Sequence, residues 1–153
     1  MPGLEARHHD CSHVPQANIN DLVDCDGLAR TAVYWGNMSY ATKYFLDSAA
    51  KLWALPSTDK PVRAPKLAGK PATVFTGGGS GLVNDPAILG LWTVFSPFGM
   101  SIVTIGNGVP EISDPARVDG GSPLGAGTFS RRPGQHPSKV EMAIARRQWS
   151  SLR

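Results

Sequence analysis

Strand-like and helix-like segments alternate along this chain of 153 residues. Short β-rich runs at 27–33, 72–76 and 101–105 are separated by helical patterns, which is typical of a parallel sheet covered by helices. The length fits one compact domain. A hydrophobic content of 41% with a net charge of only +3 is sufficient for a buried core. We therefore predict one α/β domain over residues 15–153, preceded by a loose polar arm at 1–14.

Three predicted helices carry apolar residues at spacings of three and four. Their inward stripes are Met38, Ala41, Phe45, Ala49 and Leu52; then Ile88, Leu91, Trp92 and Phe95; and finally Met142, Ala145, Trp149 and Leu152. Asp85 is predicted to cap the second helix, and Ser138 and Glu141 form a capping box for the third. Residues 55–71 and 106–137 are rich in Gly and Pro and are predicted to be loops.

No charged residue occurs between Asp85 and Glu111, a stretch long enough to suggest a membrane span. Pro97 and three glycines interrupt it, and proline breaks or kinks a helix at this position. We predict instead a buried helix, a turn at 97–99, and a strand over 101–105 that is buried on both faces. No membrane partner is expected.

The ionisable residues support few functional classes. Residues 131–153 contain six Lys or Arg and one acid; a basic tail can contact nucleic acid or another anion, but more often it is a solvated helix face. Cys11 and Cys25 are too few for a disulfide scaffold. The polar N-terminus does not resemble a signal peptide, so a cytoplasmic protein is the default.

Five potential metal ligands cluster near the N-terminus: His8, His9, Asp10, Cys11 and His13. Structural zinc sites usually draw ligands from two separated places, and no second pair is evident. We predict no metal site. No carboxylate pair or nucleophile is placed with a partner base, so no side chain is predicted to be catalytic.

Ligands of parallel sheets bind beyond the carboxyl ends of the strands. After Val33 the chain offers the aromatic faces of Tyr34 and Trp35. After Thr76 it offers the glycine run 77–81, which we predict cannot form regular structure and which leaves the backbone open to a ligand. One interpretation is a site for a flat heterocycle between these loops; the other is two tight turns whose aromatic residues pack into the core.

Several motifs occur in an order that resembles a known family. They are Asp21-Leu22-Val23-Asp24-Cys25-Asp26-Gly27-Leu28, Tyr34-Trp35-Gly36-Asn37-Met38-Ser39, Phe45-Leu46-Asp47, Leu52-Trp53, Leu67-Ala68-Gly69-Lys70-Pro71, Val74-Phe75-Thr76, Gly99-Met100, Gly120-Gly121-Ser122-Pro123-Leu124-Gly125-Ala126 and Pro137-Ser138 with Glu141. Together they resemble the flavodoxin-like NAD(P)H:quinone oxidoreductases, the tryptophan-repressor-binding-protein family. The likeness extends from about residue 15 to the C-terminus.

The resemblance implies a flavoprotein that binds FMN, accepts hydride from NADH or NADPH, reduces quinones and assembles as a homotetramer. By the same resemblance, Val33, Tyr34 and Trp35 contact one side of the flavin ring. Gly77, Gly78, Gly79, Ser80, Gly81 and Leu82 form the second flavin loop. Trp53 matches a position that lines the substrate pocket. The flavin supplies the chemistry, and the protein orients it.

Residues 1–20 do not match the first strand and the Ser/Thr-rich phosphate loop of that family. The expected architecture is therefore a flavodoxin-like sheet that lacks the first strand, the first helix and the second strand. The strand near 27–33 would then be an open edge. Pro97 also replaces a histidine that borders the family's flavin site. We expect much weaker FMN binding than is usual in the family.

Three functional classes remain open at this stage. The first is an FMN-dependent NAD(P)H:quinone oxidoreductase, and the second is a cofactor-free flavodoxin-like remnant that serves as an interaction or structural subunit. The third is a nucleic-acid or anion binder that uses the basic tail, which rests on charge alone. Fold resemblance by itself does not choose among them.

Overall fold

The structure of the protein, a computed structural model, describes residues 28–52, 66–79, 84–114, 120–130 and 134–152. The strands are β1 (Leu28–Tyr34), β2 (Asn37–Met38), β3 (Pro71–Gly78), β4 (Ser101–Ile102) and β5 (Ala126–Phe129). The helices are α1 (Tyr40–Asp47), α2 (Asn84–Phe95), α3 (Pro110–Ser113) and α4 (Lys139–Ser150). Short 3₁₀ turns at Ser48–Leu52 and Ser96–Phe98 continue α1 and α2. The predicted arm at 1–14 lies outside the described residues.

The sheet is mostly parallel and is centred on β3. Along one edge, β1 pairs with β3 from Leu28↔Thr73 to Ala32↔Gly77. The other edge of β3 is shared, because β4 pairs with its first two residues and β5 with its last four. Among the five described strands, only β2 is antiparallel to its neighbour, and it folds back on the end of β1. The α/β class with flanking helices is thus confirmed, and it is compatible with a flavodoxin-like fold.

Successive residues of β3 face opposite layers of the molecule, as the pleat of a strand requires. Ala72 and Val74 belong to the main core, with Leu46 from α1 and three residues from α2: Ile88, Leu91 and Phe95. Thr73 faces the opposite layer, where the Gln148 side chain of α4 donates a hydrogen bond to it. Helices therefore cover both faces. The predicted inward stripe of α2 is confirmed, with Trp92 half-buried beside it.

The predicted stripe of α4 is wrong in its rotation. Glu141, Ile144 and Gln148 are the buried residues of this helix, whereas Met142 is 39% exposed. The predicted capping box of Ser138 and Glu141 is present. The buried side chains of Glu141 and Gln148 form hydrogen bonds with the sheet, so these residues, rather than the most apolar face of α4, are directed towards it. Periodicity of apolar residues alone could not show this.

Four further expectations need correction. Gly77 and Gly78, predicted to lie outside regular structure, are the last residues of β3. The strand predicted over 101–105 is only Ser101–Ile102 and is not fully buried. The loop predicted over 106–137 contains both α3 and β5. Asp85 is the second residue of α2 rather than its cap.

In the described part of the chain, β1 has no strand beside Leu28–Ala32 on the edge opposite β3. Side chains along this strand alternate, with Thr31 and Val33 buried and Arg30 exposed. The hairpin that β1 forms with β2 is tied to α1, because the backbone N–H of Ser39 donates to Thr31 Oγ1 at 3.0 Å. Ser39 then caps α1 through its hydroxyl, which accepts from the N–H of Thr42.

Candidate functional site

The turn after β1 holds two aromatic side chains in solvent. Trp35 and Gly36 have φ angles of 53° and 75°, and Tyr34 pairs with Asn37 across the turn. A two-residue hairpin with both central φ angles positive favours Asn-Gly. Trp35 is instead fully exposed, and Tyr34 is 63% exposed. The interpretation in which these aromatic residues pack into the core is therefore wrong.

The glycine end of β3 lies directly beside this turn. Ala32 pairs with Gly77, and a Cβ placed on Gly78 would lie 3.1 Å from Val33 Cβ. Gly79 is exposed, and a Cβ there would meet no atom within 4 Å. The structure thus brings Val33, Tyr34 and Trp35 together with Gly77, Gly78 and Gly79. We call these six residues the carboxyl rim.

Four of the predicted site residues are not among those that the structure describes. Ser80, Gly81 and Leu82 of the second flavin loop, and Trp53 of the substrate pocket, lie outside the described residues. The residue that replaces the family histidine, Pro97, is exposed in the 3₁₀ turn that follows α2. Six of the nine predicted flavin-contacting residues are therefore described, and they are the six of the carboxyl rim.

Two buried polar side chains adjoin the rim and have no hydrogen-bond partner among the described residues. Thr76 is 4% exposed and Asn84 is 3% exposed, yet the Thr76 hydroxyl and both polar atoms of the Asn84 amide are unpaired. A Cβ on Gly127 would lie 2.8 Å from Asn84 Nδ2 and 3.1 Å from Thr76 Oγ1, so the two groups flank one point of the sheet. Buried groups of this kind are nearly always paired, and each exception calls for an explanation.

Sequence reasoning missed Asn84 because its surroundings come from separate parts of the chain. Gly78 ends β3 and Gly127 lies in β5, and both approach the amide. The only local signal is position, since Asn84 is the first residue of a helix that continues Asp85-Pro86. Asx residues are common at helix starts, where their side chains normally accept a backbone N–H. In Asn84 this bond is not made.

On the opposite face, α4 is joined to β5 by fully bonded polar groups. The Glu141 carboxylate accepts from the backbone N–H groups of Gly120, Phe129 and Ser138 at 2.7–3.0 Å and from the Thr128 hydroxyl. Burial alone would raise the pKa of Glu141, but these hydrogen bonds outweigh it, and the pKa is lowered. Glu141 is thus a charged structural group.

Gln148 forms the second connection between α4 and the sheet. Its Oε1 accepts from the N–H of Ala126 at 2.6 Å, and its Nε2 donates to Val74 O and to the Thr73 hydroxyl. The side chain is completely buried. Neither Glu141 nor Gln148 has a free polar atom to offer a ligand, so both hold β5 in place rather than act in a site.

The described residues present no group of three or more His, Cys, Asp or Glu that could hold a metal ion. The cluster at 8–13 lies outside them. None of the helices described here is long and apolar enough to cross a membrane. What the carboxyl rim offers is aromatic faces, bare backbone and unpaired polar groups, which suit a flat ligand with hydrogen-bonding edges.

No protein-family model matches this chain. Among solved structures, it is similar to an oxidoreductase from Corynebacterium diphtheriae at 19% sequence identity, with a TM-score of 0.47. The match covers 88% of this chain and 57% of that one, so this chain spans little more than half the length of that protein. An identity and a TM-score this low assign neither a family nor an activity.

Proposed function

We propose that the carboxyl rim binds the ring system of FMN and that the chain is an oxidoreductase of the flavodoxin-like NAD(P)H:quinone type. The observation that carries the proposal is the combination of solvent exposure and backbone conformation at Trp35. A fully exposed indole occupies a left-handed position beside the glycine end of β3. Both features cost free energy, and strained positions of this kind cluster at functional sites.

The ring system of a flavin fits what the described residues supply. Tyr34 and Trp35 offer faces for stacking, which is favourable between flat aromatic systems. The absence of side chains at Gly77–Gly79 leaves room for a planar group to approach the backbone closely. Thr76 and Asn84 lie just below this surface with unpaired donors and acceptors. A ligand edge or an ordered water that reached them would relieve the cost of burying them.

The phosphate of FMN is less well provided for. Among the described residues, the helix nearest the rim is α2, whose positive N-terminal end could attract an anion. Asp85 lies in its first turn, however, and repels one. The proposal is therefore that the chain holds the flavin mainly by its ring, which agrees with the weak FMN binding expected from the sequence.

When bound, FMN would supply the transfer of hydride from NADH or NADPH to a quinone. The residues of the chain would position the ring and exclude water from the face that Trp35 covers. Trp53 is the proposed contact to the quinone, and a homotetramer is the proposed assembly. Both proposals come from the family resemblance. No side chain of the rim is proposed to exchange protons with the substrate.

The test is a fluorescence titration of the purified chain with FMN and with riboflavin, which lacks the phosphate. We expect saturable quenching of the flavin fluorescence for both ligands. Their dissociation constants should differ by less than about tenfold, because the phosphate adds little to binding. Trp35→Ala should abolish the quenching, whereas Tyr44→Ala, an exposed aromatic residue of α1 outside the rim, should not change it. If both variants still bound the flavin, the proposal would be contradicted. The absence of saturation in the unmodified chain would also contradict it.

A second candidate function has its own observation. Tyr40 and Tyr44 of α1 are both exposed, with ring centroids 6.1 Å apart, and they follow the exposed pair Tyr34 and Trp35 along the chain. Exposed aromatic residues are enriched at protein interfaces. A cofactor-free interaction subunit would use this surface, and Tyr44→Ala would then weaken partner binding while flavin binding remained absent. The titration above separates the two candidates.

A further inference from the structure

An open groove lies between α4 and the sheet face formed by β1, β3 and β5. Its volume is about 640 Å³, within the range of roughly 300–1,000 Å³ of small-molecule sites. The lining is mainly apolar and includes Phe75 of β3 and Met142, Ala145 and Trp149 of α4. These three residues of α4 are the apolar face predicted to point inward, and the rotation of the helix leaves that face to line the groove. We call it the α4 groove.

Two arginines border this apolar surface. Arg30 of β1 and Arg146 of α4 line the α4 groove, and both side chains are exposed. Neither makes an ion pair within the described part of the chain. The neighbouring Arg147 differs, since it bonds to Glu111 of α3. The two arginines that line the groove therefore have guanidinium groups that are unpaired among the described residues, whereas Arg147, which lies outside the lining, is paired.

The acidic residue in the lining does not cancel this charge. Glu141 also borders the groove, but its carboxylate accepts four hydrogen bonds from Gly120, Phe129, Ser138 and Thr128. It is 4% exposed. A ligand in the α4 groove would therefore meet an apolar floor flanked by two exposed positive charges.

We propose that the α4 groove is a second binding site, specific for a small amphipathic anion: an apolar body, aromatic or alkyl, with one carboxylate or similar group. The apolar body packs on Phe75, Met142 and Trp149, and the anionic group bonds to Arg146 and Arg30. Guanidinium groups favour carboxylates because they can donate two parallel hydrogen bonds. The site does not include the carboxyl rim and does not depend on flavin binding.

Size and charge favour a small molecule over a second protein. A stable protein interface buries about 800 Å² on each partner, far more than the lining of a cavity of this volume provides. A second copy of this chain would also bring further arginines to the same place, because an interface with twofold symmetry joins the same surface patch of both copies. An anion that fits the cavity meets neither difficulty.

The test uses naphthalene-2-carboxylate and its neutral counterpart, naphthalene-2-carboxamide, titrated into the ¹⁵N-labelled full chain and followed by NMR. We expect saturable shifts of the Trp149 indole and of backbone amides in α4 and β5 with the carboxylate. The carboxamide should bind about tenfold more weakly. Arg146→Gln should weaken carboxylate binding by about the same factor, since it removes a charge-assisted contact.

Arg147→Gln is the matched control because it removes the same charge from the next residue, which lies outside the groove lining. It should change the dissociation constant by less than about twofold, because salt screens the effect of an exposed charge that does not contact the ligand. Both arginines are exposed, so both variants should fold. Equal weakening by both variants, equal binding of the two probes, or no saturable shift would overturn the proposal. So would self-association of the free chain with line broadening confined to α4, which would assign the groove to a second copy.

Discussion

Buried polar side chains on the two faces of the sheet differ in whether their hydrogen bonds are satisfied. On the α4 face, Glu141 and Gln148 use every polar atom of their side chains. On the α2 face, the side-chain polar atoms of Thr76 and Asn84 have no partner in the part of the chain that the structure describes. All four side chains are at most 4% exposed. The difference therefore does not reflect a difference in burial.

This contrast separates a structural region from a candidate site. Satisfied buried groups stabilise one arrangement, because breaking any bond leaves a desolvated partner. Unsatisfied groups lower stability, because the cost of their desolvation is not offset, and they are available to a ligand. Glycines show the same division. A Cβ on Gly120 would lie 2.5 Å from the carbonyl oxygen of Gly127 on the α4 face, whereas Gly79 at the carboxyl rim has open space.

The largest effect is expected from Gly120→Ala. The new methyl group would overlap the backbone carbonyl of Gly127, which cannot easily move, and would approach Glu141 Oε1 to 2.8 Å. We expect a loss of more than about 3 kcal/mol in the free energy of unfolding, measured by urea denaturation. Gly108→Ala is the control, since a Cβ at Gly108 would meet no atom within 4 Å. If Gly120→Ala left the free energy of unfolding unchanged, the α4 face would not be tightly packed.

Glu141→Gln is expected to cost about 3 kcal/mol. The amide nitrogen cannot accept the hydrogen bonds that Ser138 and Thr128 donate to Oε2. Because folding lowers the pKa of Glu141 from its ordinary value of 4.5, the unfolded chain takes up the proton first on acidification. The stabilisation is complete well above pH 4.5 and is lost as the pH falls through the folded pKa.

Thermal melts of both proteins between neutral and acidic pH test this dependence. The melting temperature of the unmodified chain should fall more steeply below pH 4.5 than that of Glu141→Gln. Parallel curves would show that Glu141 does not carry the acid sensitivity.

A pair of near-isosteric changes tests the comparison directly. Gln148→Met leaves Ala126 N–H without its acceptor and removes the donor to Val74 O and the Thr73 hydroxyl, so it should cost about 2 kcal/mol. Asn84→Leu removes a group that bonds to nothing, so it should change the free energy of unfolding by less than about 1 kcal/mol or increase it. Chemical denaturation gives both values. Equal losses would show that the two faces do not differ as described.

Trp35→Asn should stabilise the hairpin slightly while weakening flavin binding. Asn adopts a positive φ more readily than Trp, and Asn-Gly is the preferred pair for this turn. We expect a gain of about 0.5 kcal/mol together with at least about tenfold weaker FMN binding. Trp92, which is half-buried in α2 rather than exposed, can serve as the internal fluorescence reference. A loss of stability would remove the argument from strain.

The smallest effect is expected from Arg147→Gln. This side chain bonds to Glu111 at the surface, and exposed ion pairs of this kind contribute little to the free energy of unfolding. The loss should shrink further in high salt, measured as the shift in the urea midpoint. A larger loss of stability would show that the contact between α3 and α4 contributes substantially to the stability of the fold.

Local signals predicted much of the fold. The pairing of Ser138 with Glu141 indicated the start of α4, and the β-rich run before Gly77 indicated the central strand. The closeness of Val33 and Gly78 also followed, because the carboxyl ends of adjacent parallel strands meet at one edge. These inferences rest on neighbours in sequence or on a general property of parallel sheets.

What could not be predicted depends on contacts between distant segments. β5 has the short, glycine-containing sequence Ala126–Phe129 and pairs only because β3 is there to receive it. The rotation of α4 follows from bonds that Gln148 makes with Thr73 and Val74, about 75 residues earlier. The unpaired state of Asn84 depends on Gly78 and Gly127, which no local pattern connects.

The edge of β3 that β4 and β5 share has a consequence for how the chain can vary. Between these two strands the chain leaves the sheet and returns, and the N–H groups of Ile105 and Gly106 both donate to Pro123 O at its base. The departure and return points are thus held together independently of the length between them. Segments closed in this way tolerate insertion at small entropic cost, since each doubling of a loop adds only about 0.6 kcal/mol. Gly108, where a Cβ would meet no atom within 4 Å, is therefore a natural place to insert foreign sequence without shifting the strand register.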